Sequence, residues 1–374
     1  MDLARPHSPL SRPAAWTLSI GFAALLALPT LDWALAIDPT PPPQENRVLA
    51  PPAPLPGAFA ELLTWPGRYE SWFRDHFGLR STLIAWHSLV MLDVLGVSPS
   101  KDVLIGKDGW LYLGADKNVN AYRCMYPYTE AELKILQAEL ERKAAWLAKR
   151  GIAYVNVWAP IKANIYPEFL PAGLRKLDQP CRLQQWHAHM RKHTKVAVVD
   201  LTAALLRAKA AAPPELLYFK TDTHWNPRGA WAGYRALVLE LQHLGPKFRA
   251  VVPGRVTFED YSDKGGDLAR LLDMAERYRA MVPWQKIAGS GIRSVPAPVD
   301  RGKSVVVQAF ECATCGPGKA VMIHDSFGNH IRTYLAESFG RLVSVEFGPW
   351  DEALIEQEKP DVVIEVHLER QLSP

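Results

Sequence analysis

The sequence predicts an α/β fold, a doubly wound parallel sheet with helices on both faces, preceded by an N-terminal apolar helix. Three observations carry that expectation. Short apolar runs alternate with helical periodicities through residues 129–244 and again through residues 304–366. An apolar segment with basic residues ahead of it opens the chain. A proline-rich stretch stands between the two.

The first helix is announced by Thr129-Glu130-Ala131-Glu132, a capping box, with Leu133, Leu136, Leu140, Ala144 and Leu147 following at helical spacing and Gly151 closing it. Ile152–Trp158 is a β-rich run. Arg182–His193 reads as a helix, Val196–Val199 as a strand, and another helix starts from Leu201. Asn226 and Pro227 supply an N-cap and a first-turn proline, and Ala230, Tyr234, Leu237, Leu241 and Leu244 form the stripe of the helix they open. Strands at Ser304–Ala309, Ala320–His324, Leu342–Phe347 and Asp361–Val366 alternate with helices at Phe327–Phe339 and Trp350–Lys359. Nearly continuous apolar strands of this kind belong to a sheet covered on both faces. Residues 245–303 have weak periodicity and read as an insertion beside the sheet.

At the N-terminus, Arg5 and Arg12 precede the apolar run Pro13–Ile37. Its length suits a signal peptide or a spanning helix, and the basic flank places the rest of the chain outside the cytoplasm. Ala34-Leu35-Ala36 has the small-x-small pattern of a cleavage site, so a retained anchor and a signal peptide cut after Ala36 both fit. From Asp38 to Pro56, eight of nineteen residues are proline, which favours an extended tether. The organisation read from the chain is therefore a signal or membrane-anchor segment (1–37), a linker (38–56) and a folded domain (57–374), with the domain in the periplasm, held at the inner membrane.

Composition narrows the function. Hydrophobic residues are 48% and charged residues 22%, ordinary for a globular protein, and net charge is only +4. With no block of basic residues, a nucleic-acid partner is not expected. Four cysteines, Cys124, Cys181, Cys312 and Cys315, suit an oxidising compartment and are disulfide candidates. Cys124–Cys181 and Cys312–Cys315 is one of three pairings the sequence allows. No metal or cofactor is expected. His187, His189 and His193 lack a carboxylate on their helix face and read as solvated, and Gly289-Ser290-Gly291 lacks the context of a phosphate loop.

Two segments carry chemistry. His324-Asp325-Ser326-Phe327-Gly328 places a serine between a buried strand and a helix, where its own N–H can stabilise an oxyanion. Asp222-Thr223-His224-Trp225-Asn226 places a carboxylate two residues from an imidazole, just before a capped helix. That carboxylate can fix the tautomer while the other ring nitrogen takes a serine proton. Each segment alone reads more simply, the Asp-Ser as a helix cap and the Asp-x-His as a turn stabiliser or a metal pair; acyl transfer needs both. The G-x-S-x-G elbow is absent, since position 324 is His.

Together these segments resemble the SGNH-hydrolase-like domain of alginate O-acetyltransferase proteins (AlgJ/AlgX-like). Asp75-His76-Phe77-Gly78-Leu79-Arg80, Gly106-Lys107-Asp108-Gly109-Trp110-Leu111-Tyr112, Ala159-Pro160-Ile161-Lys162 with Tyr166-Pro167-Glu168, and Gly266-Asp267-Leu268 extend the resemblance over residues 45–370. It implies a flavodoxin-like parallel sheet and an exported enzyme that acetylates hydroxyls of a secreted polysaccharide, alginate or a related polymer. It also implies a membrane-bound O-acyltransferase that delivers the acetyl donor, among other exopolysaccharide-secretion proteins. Carried onto this chain, Ser326 is the nucleophile forming an acetyl-serine, His224 the general base and acid, and Asp222 the orienting carboxylate. Lys162 and Asn164 are candidates for the second oxyanion donor; Asp325, Trp225 and Asn226 are further oxyanion or substrate candidates, with Trp225 placed to stack on a sugar. A carbohydrate acetyl esterase working in the periplasm is the alternative, and a non-catalytic exopolysaccharide-assembly component a second. No appended β-domain is expected, which favours the membrane-tethered branch of the family.

Overall fold

The computed structural model describes residues 11–39, 48–211, 214–302 and 304–374; Arg5 and the proline stretch 40–47 lie outside them. The chain divides into two compact units, one of residues up to Pro99 with Arg270–Met274 and one of Ser100–Ala269 with Ala275–Pro374.

The first unit opens with α1 (Arg12–Leu35), apolar and long enough to cross a membrane by length and composition. Asp32, near its end, is buried, and its carboxylate accepts the backbone N–H of Asp38 at 2.6 Å and of Leu79 at 2.7 Å. Helices α2 (Trp65–His76) and α3 (Arg80–Leu89) follow. They meet at the Asp75-His76-Phe77-Gly78-Leu79-Arg80 turn, where the Asp75 carboxylate accepts the Ala50 N–H at 2.8 Å.

In the second unit, a ribbon of β1 (Val103–Ile105) and β2 (Leu111–Leu113) leads to α4 (Asp116–Arg123) and α5 (Glu130–Ala148). The Thr129 capping box forms as expected, its hydroxyl accepting the Glu132 N–H while the Glu132 carboxylate takes the Thr129 N–H. Then come β3 (Ala153–Ala159), α6 (Lys162–Ile165), α7 (Arg182–His193), β4 (Ala197–Asp200), α8 (Thr202–Ala211) and α9 (Pro227–Leu241). A hairpin of β5 (Val256–Asp263) and β6 (Ala280–Ile287), with α10 (Asp267–Leu271) between them in sequence, fills most of the weakly periodic stretch. The chain ends through β7 (Ile292–Val295), β8 (Val306–Cys312), β9 (Lys319–His324), α11 (Gly328–Ala336), β10 (Arg341–Glu346), α12 (Glu352–Glu358) and β11 (Val362–Leu368).

Seven strands form the central sheet in the order β4-β3-β11-β9-β10-β8-β7. The five from β4 to β10 are parallel. The sheet is nevertheless mixed, not wholly parallel as expected: β8 runs antiparallel to β10, and β7 to β8. Connection length explains the correction. Only residues 313–318 join β8 to β9, too few for the crossover that a parallel return requires. Alternate strand residues feed two cores. Val155, Val157, Met322, Ile364 and Val366 face α8, α9 and α11, and Tyr154, Trp158, Val321, Ile323 and Val363 face α5, α7 and α12.

His189 is buried rather than solvated: its ring meets Gln137 of α5 at 2.8 Å and lies tilted against that of His193, 4.5 Å between centroids. Cys124 bonds Cys181, and Cys312 bonds Cys315. The first bridge spans 57 residues and the second three. Loop-closure entropy then makes the Cys124→Ser/Cys181→Ser variant less stable by about 4 kcal/mol and the Cys312→Ser/Cys315→Ser variant by about 2 kcal/mol. Denaturant titration of the two should rank them in that order; equal losses would contradict it.

Candidate active site

Ser326 stands two residues beyond the carboxyl end of β9, ahead of α11. Asp325 sets that corner. Its carboxylate accepts the Phe327 N–H at 2.8 Å through one oxygen, and the Leu368 N–H at 2.8 Å and the Gln371 amide at 2.6 Å through the other, fastening the loop after β9 to the end of β11. Burial raises its pKa, against these hydrogen bonds. His324, where an elbow would have glycine, is a buried structural residue. Its Nδ1 faces the Asp325 carbonyl oxygen and Nε2 the Ser344 hydroxyl, each at 2.6 Å, and burial lowers its pKa to about 4.

The segment with Asp222 and His224 is not the end of a sheet strand but a tight turn before α9, closed by an antiparallel bridge between Tyr218 and Trp225. The turn is held from both sides. From within, the Lys162 ammonium donates to the carbonyls of Phe219, Lys220 and Asp222 at 3.1, 3.0 and 2.7 Å. Burial pulls its pKa down to about 7, although the charges of Asp222 and Asp267 oppose this. From the other side, the Gly266-Asp267 backbone closes on Asp222. The Asp267 N–H donates to Asp222 Oδ2 at 3.0 Å, and Gly266 approaches so closely that a Cβ would fall 2.4 Å from that of Asp222. The Asp267 carboxylate accepts the Thr223 N–H at 2.8 Å and its hydroxyl at 2.6 Å.

These supports bring the three expected side chains together. His224 Nε2 lies 2.8 Å from Ser326 Oγ, and His224 Nδ1 lies 2.6 Å from Asp222 Oδ1, which also accepts the His224 N–H at 2.9 Å. With Nδ1 donating to the carboxylate, Nε2 is left to accept the serine proton. Burial works against ionisation of both partners. Their mutual hydrogen bond and opposite charges prevail, so Asp222 is held well below the usual carboxylate range and His224 is raised above the usual imidazole value. The Ser326 N–H has no hydrogen-bond partner among the described residues and is available to an oxyanion.

The remaining candidates fall elsewhere. Lys162 is committed to the turn and the Asn164 amide to Glu369 at 2.7–2.8 Å, so neither side-chain donor is open to an oxyanion. Asn226 caps α9, accepting the N–H groups of Arg228 and Gly229 at 2.9 and 3.1 Å. Trp225 is 0% exposed, which removes it as a sugar platform. It binds the two motifs instead: its Nε1–H donates to the Phe327 carbonyl at 3.0 Å, and Phe327 packs on the His224 ring at 5.0 Å.

Three residues are given no role by the sequence, although the resemblance passes through the first of them in Gly266-Asp267-Leu268. Asp267 Oδ2 is 3.8 Å from His224 Nδ1, giving the imidazole a second carboxylate. His330, one helical turn beyond Ser326, has its pKa lowered to about 4 by burial and then by the His224 charge; the i, i+4 spacing could have found it. Arg370 lines a cleft with Lys162, Thr223, Phe327 and Leu368 and has no side-chain partner among the described residues. Asp222, His224 and Asp267 also form a donor set whose atoms lie within 4.8 Å of one another, the size of a cation site. Each of those atoms already serves a hydrogen bond within the turn.

A family model described as SGNH hydrolase-like domain, acetyltransferase AlgX, matches residues 103–303, more than half of the chain, which includes Asp222, His224 and Asp267. The chain is 32% identical over 144 residues to the probable alginate O-acetylase AlgJ of Pseudomonas syringae pv. tomato, 38% of this chain and 34% of that protein. To the protein of the same name from Pseudomonas aeruginosa it is 29% identical over 129 residues, 34% of this chain and 30% of the relative. The matched stretch thus spans about a third of the length of these relatives. Among solved structures, Bacillus cereus PatB1 aligns with TM-score 0.54 at 18% identity, over 73% of this chain and 98% of that one. A DHHW family protein from Eubacterium siraeum aligns with TM-score 0.50 at 17% identity, over 72% and 95%. These two share the fold. With more than half of its length matched by that model, the chain belongs to the SGNH hydrolase-like, AlgX-type acetyltransferase family.

Proposed function

We propose that this protein is an exported, membrane-tethered O-acetyltransferase that acetylates hydroxyls of a secreted polysaccharide through Ser326. The observation that carries the reading is the unbroken relay from Asp222 through His224 to Ser326, at 2.6 and 2.8 Å. His224 Nε2 takes the Ser326 proton as Oγ adds to the carbonyl of an acetyl donor. The oxyanion forms beside the Ser326 N–H. Collapse expels the donor's leaving group with the proton held by His224, leaving acetyl-Ser326. A sugar hydroxyl then gives its proton to His224 and takes the acetyl group, which restores the serine. The family and the names of the AlgJ relatives support alginate or a related polymer as acceptor; in this proposal a membrane-bound O-acyltransferase delivers the acetyl donor.

The tether is α1, retained rather than removed. Cleavage after Ala36 would take away Asp32, the acceptor for the Leu79 N–H at the start of α3. Peptide mapping of the membrane fraction should recover an intact Leu31–Asp38 junction; a mature terminus at Ile37 would end this reading.

Ser326→Ala should lower transfer from an acetyl ester to an oligosaccharide by at least about 10³-fold and abolish acetyl labelling of the protein. Full activity in that variant would remove the mechanism, and release of acetate alone, whatever acceptor is supplied, would make the protein an esterase. Because attack needs neutral His224 and the folded protein raises its pKa, activity should fall on the acid side with a midpoint above 6.5. Asp267→Asn removes one of the two negative charges that stabilise the imidazolium, so the acid limb should move to lower pH. A limb that stays put or moves upward would show that Asp267 does not act on His224.

A further inference from the structure

Large apolar side chains are exposed very unevenly. Among the described residues, thirteen lie between Val48 and Val97, against eleven in all of residues 100–374. Along α3 and the turn of π-helix that continues it, Leu83, Trp86, Val90 and Val94 recur at steps of three and four, and Val97 follows just beyond the helical turn. All five are exposed, Trp86 at 63% and Val94 at 74%. That spacing makes one apolar helix face, which in a soluble surface would be a liability.

The place where this stripe begins points to what covers it. Leu79, the residue before α3, donates its N–H to Asp32 at the end of α1, and a Cβ on Gly78 would stand only 2.2 Å from the Pro29 carbonyl oxygen, so the turn ahead of α3 touches α1 backbone to backbone. Trp33 of α1 packs edge-on against Trp72 of α2 at 5.9 Å. From Trp72 an aromatic ribbon continues to Tyr69 at 5.7 Å and from Tyr69 to Trp65 at 5.0 Å. Aromatic rings with a polar edge gather where a membrane meets water. The apolar residues of α1 are themselves exposed from Trp16 to Leu35 and call for the same apolar surroundings.

We infer that α2, α3 and the turn to Val97 form an amphipathic collar lying in the surface of the bilayer that α1 crosses, with Leu83, Trp86, Val90 and Val94 turned to the acyl chains. The inference rests on reading α1 as a retained span. Lipid is favoured over a protein partner because the stripe is continuous with a helix that needs lipid and because aromatic rings mark the junction.

The four native cysteines are all disulfide-bonded, so an introduced cysteine is the single free thiol. Leu25→Cys, Trp86→Cys, Val94→Cys and, as a water-exposed control, Lys134→Cys in the full chain can carry an environment-sensitive fluorophore. Each is reconstituted into vesicles holding quencher lipids labelled near the headgroup or deep in the acyl chain. The collar requires about twofold quenching at positions 86 and 94 by the shallow quencher, quenching at 25 by the deep one, and none at 134. Quenching at 25 without quenching at 86 and 94 leaves the anchor standing and overturns the collar. That holds whether the two labels report water or, through blue-shifted emission, a protein partner or second copy. No quenching at 25 removes the span itself, and the collar with it.

Discussion

A buried ammonium group holds the irregular segment that carries Asp222 and His224. The turn from Phe219 to His224 has no ladder of its own beyond a single bridge, and three of its carbonyls converge on Lys162 Nζ. Taking a lysine charge out of water costs several kcal/mol unless it is compensated. Here the compensation comes from those carbonyls and from the Asp222 and Asp267 charges, and it is incomplete, since the pKa still falls to about 7. An apolar side chain of equal size would fill the space but leave the Phe219 and Asp222 carbonyls without a donor, each a cost of about 1–3 kcal/mol, whereas the Lys220 carbonyl would keep the Leu111 N–H at 2.9 Å. The lysine is thus fixed by the backbone it satisfies.

That clamp determines which way the neighbouring residues point. Next to the bridge the chain is extended, so successive side chains point to opposite sides. With His224 turned to Ser326, Trp225 must enter the core, where it reaches the Phe327 carbonyl and ties the two motif segments together. The short distance between imidazole and hydroxyl is therefore held by packing on one side of the turn and by Lys162 and Gly266-Asp267 on the other. In the proposed mechanism a relay supported in this way would need no rearrangement before proton transfer, which is where enzymes gain most from rigidity.

The same alternation explains what sequence could and could not supply. Strand and helix positions were readable because each repeats a period over many residues; Arg182–His193 and the Asn226 cap match the structure residue for residue. Strand direction was not, because apolar β8 looks alike in either sense and only the six-residue link to β9 decides it. Asp222, His224 and Ser326 were recognisable as chemistry-bearing types next to caps. Trp225 adjoins His224 in sequence yet enters the core and not the site, because adjacency in sequence is not adjacency in space. Asp267 carries no local signal: it lies 45 residues from Asp222 in sequence and meets it only through a backbone N–H. Arg370 likewise reaches the cleft only because β11 pairs with β9.

The tryptophans divide along the same line. Eight of the thirteen belong to the second unit, where Trp110 and Trp225 are wholly buried and Trp158 and Trp186 nearly so. Five fall within the first 99 residues, and of these Trp16, Trp33 and Trp86 are more than half exposed. A ring that large is left in contact with water only at a cost of about 2 kcal/mol or more relative to burial. One composition excess therefore has two physical origins: space filling around a two-faced sheet, and a surface on the first unit whose partner is apolar. The turn Asp75-His76-Phe77-Gly78-Leu79-Arg80 is where the second begins, since its glycine admits the end of α1 and its leucine N–H receives Asp32. A motif far in sequence from Ser326 thereby gains a role in holding the apolar helix, separate from the chemistry of the sheet.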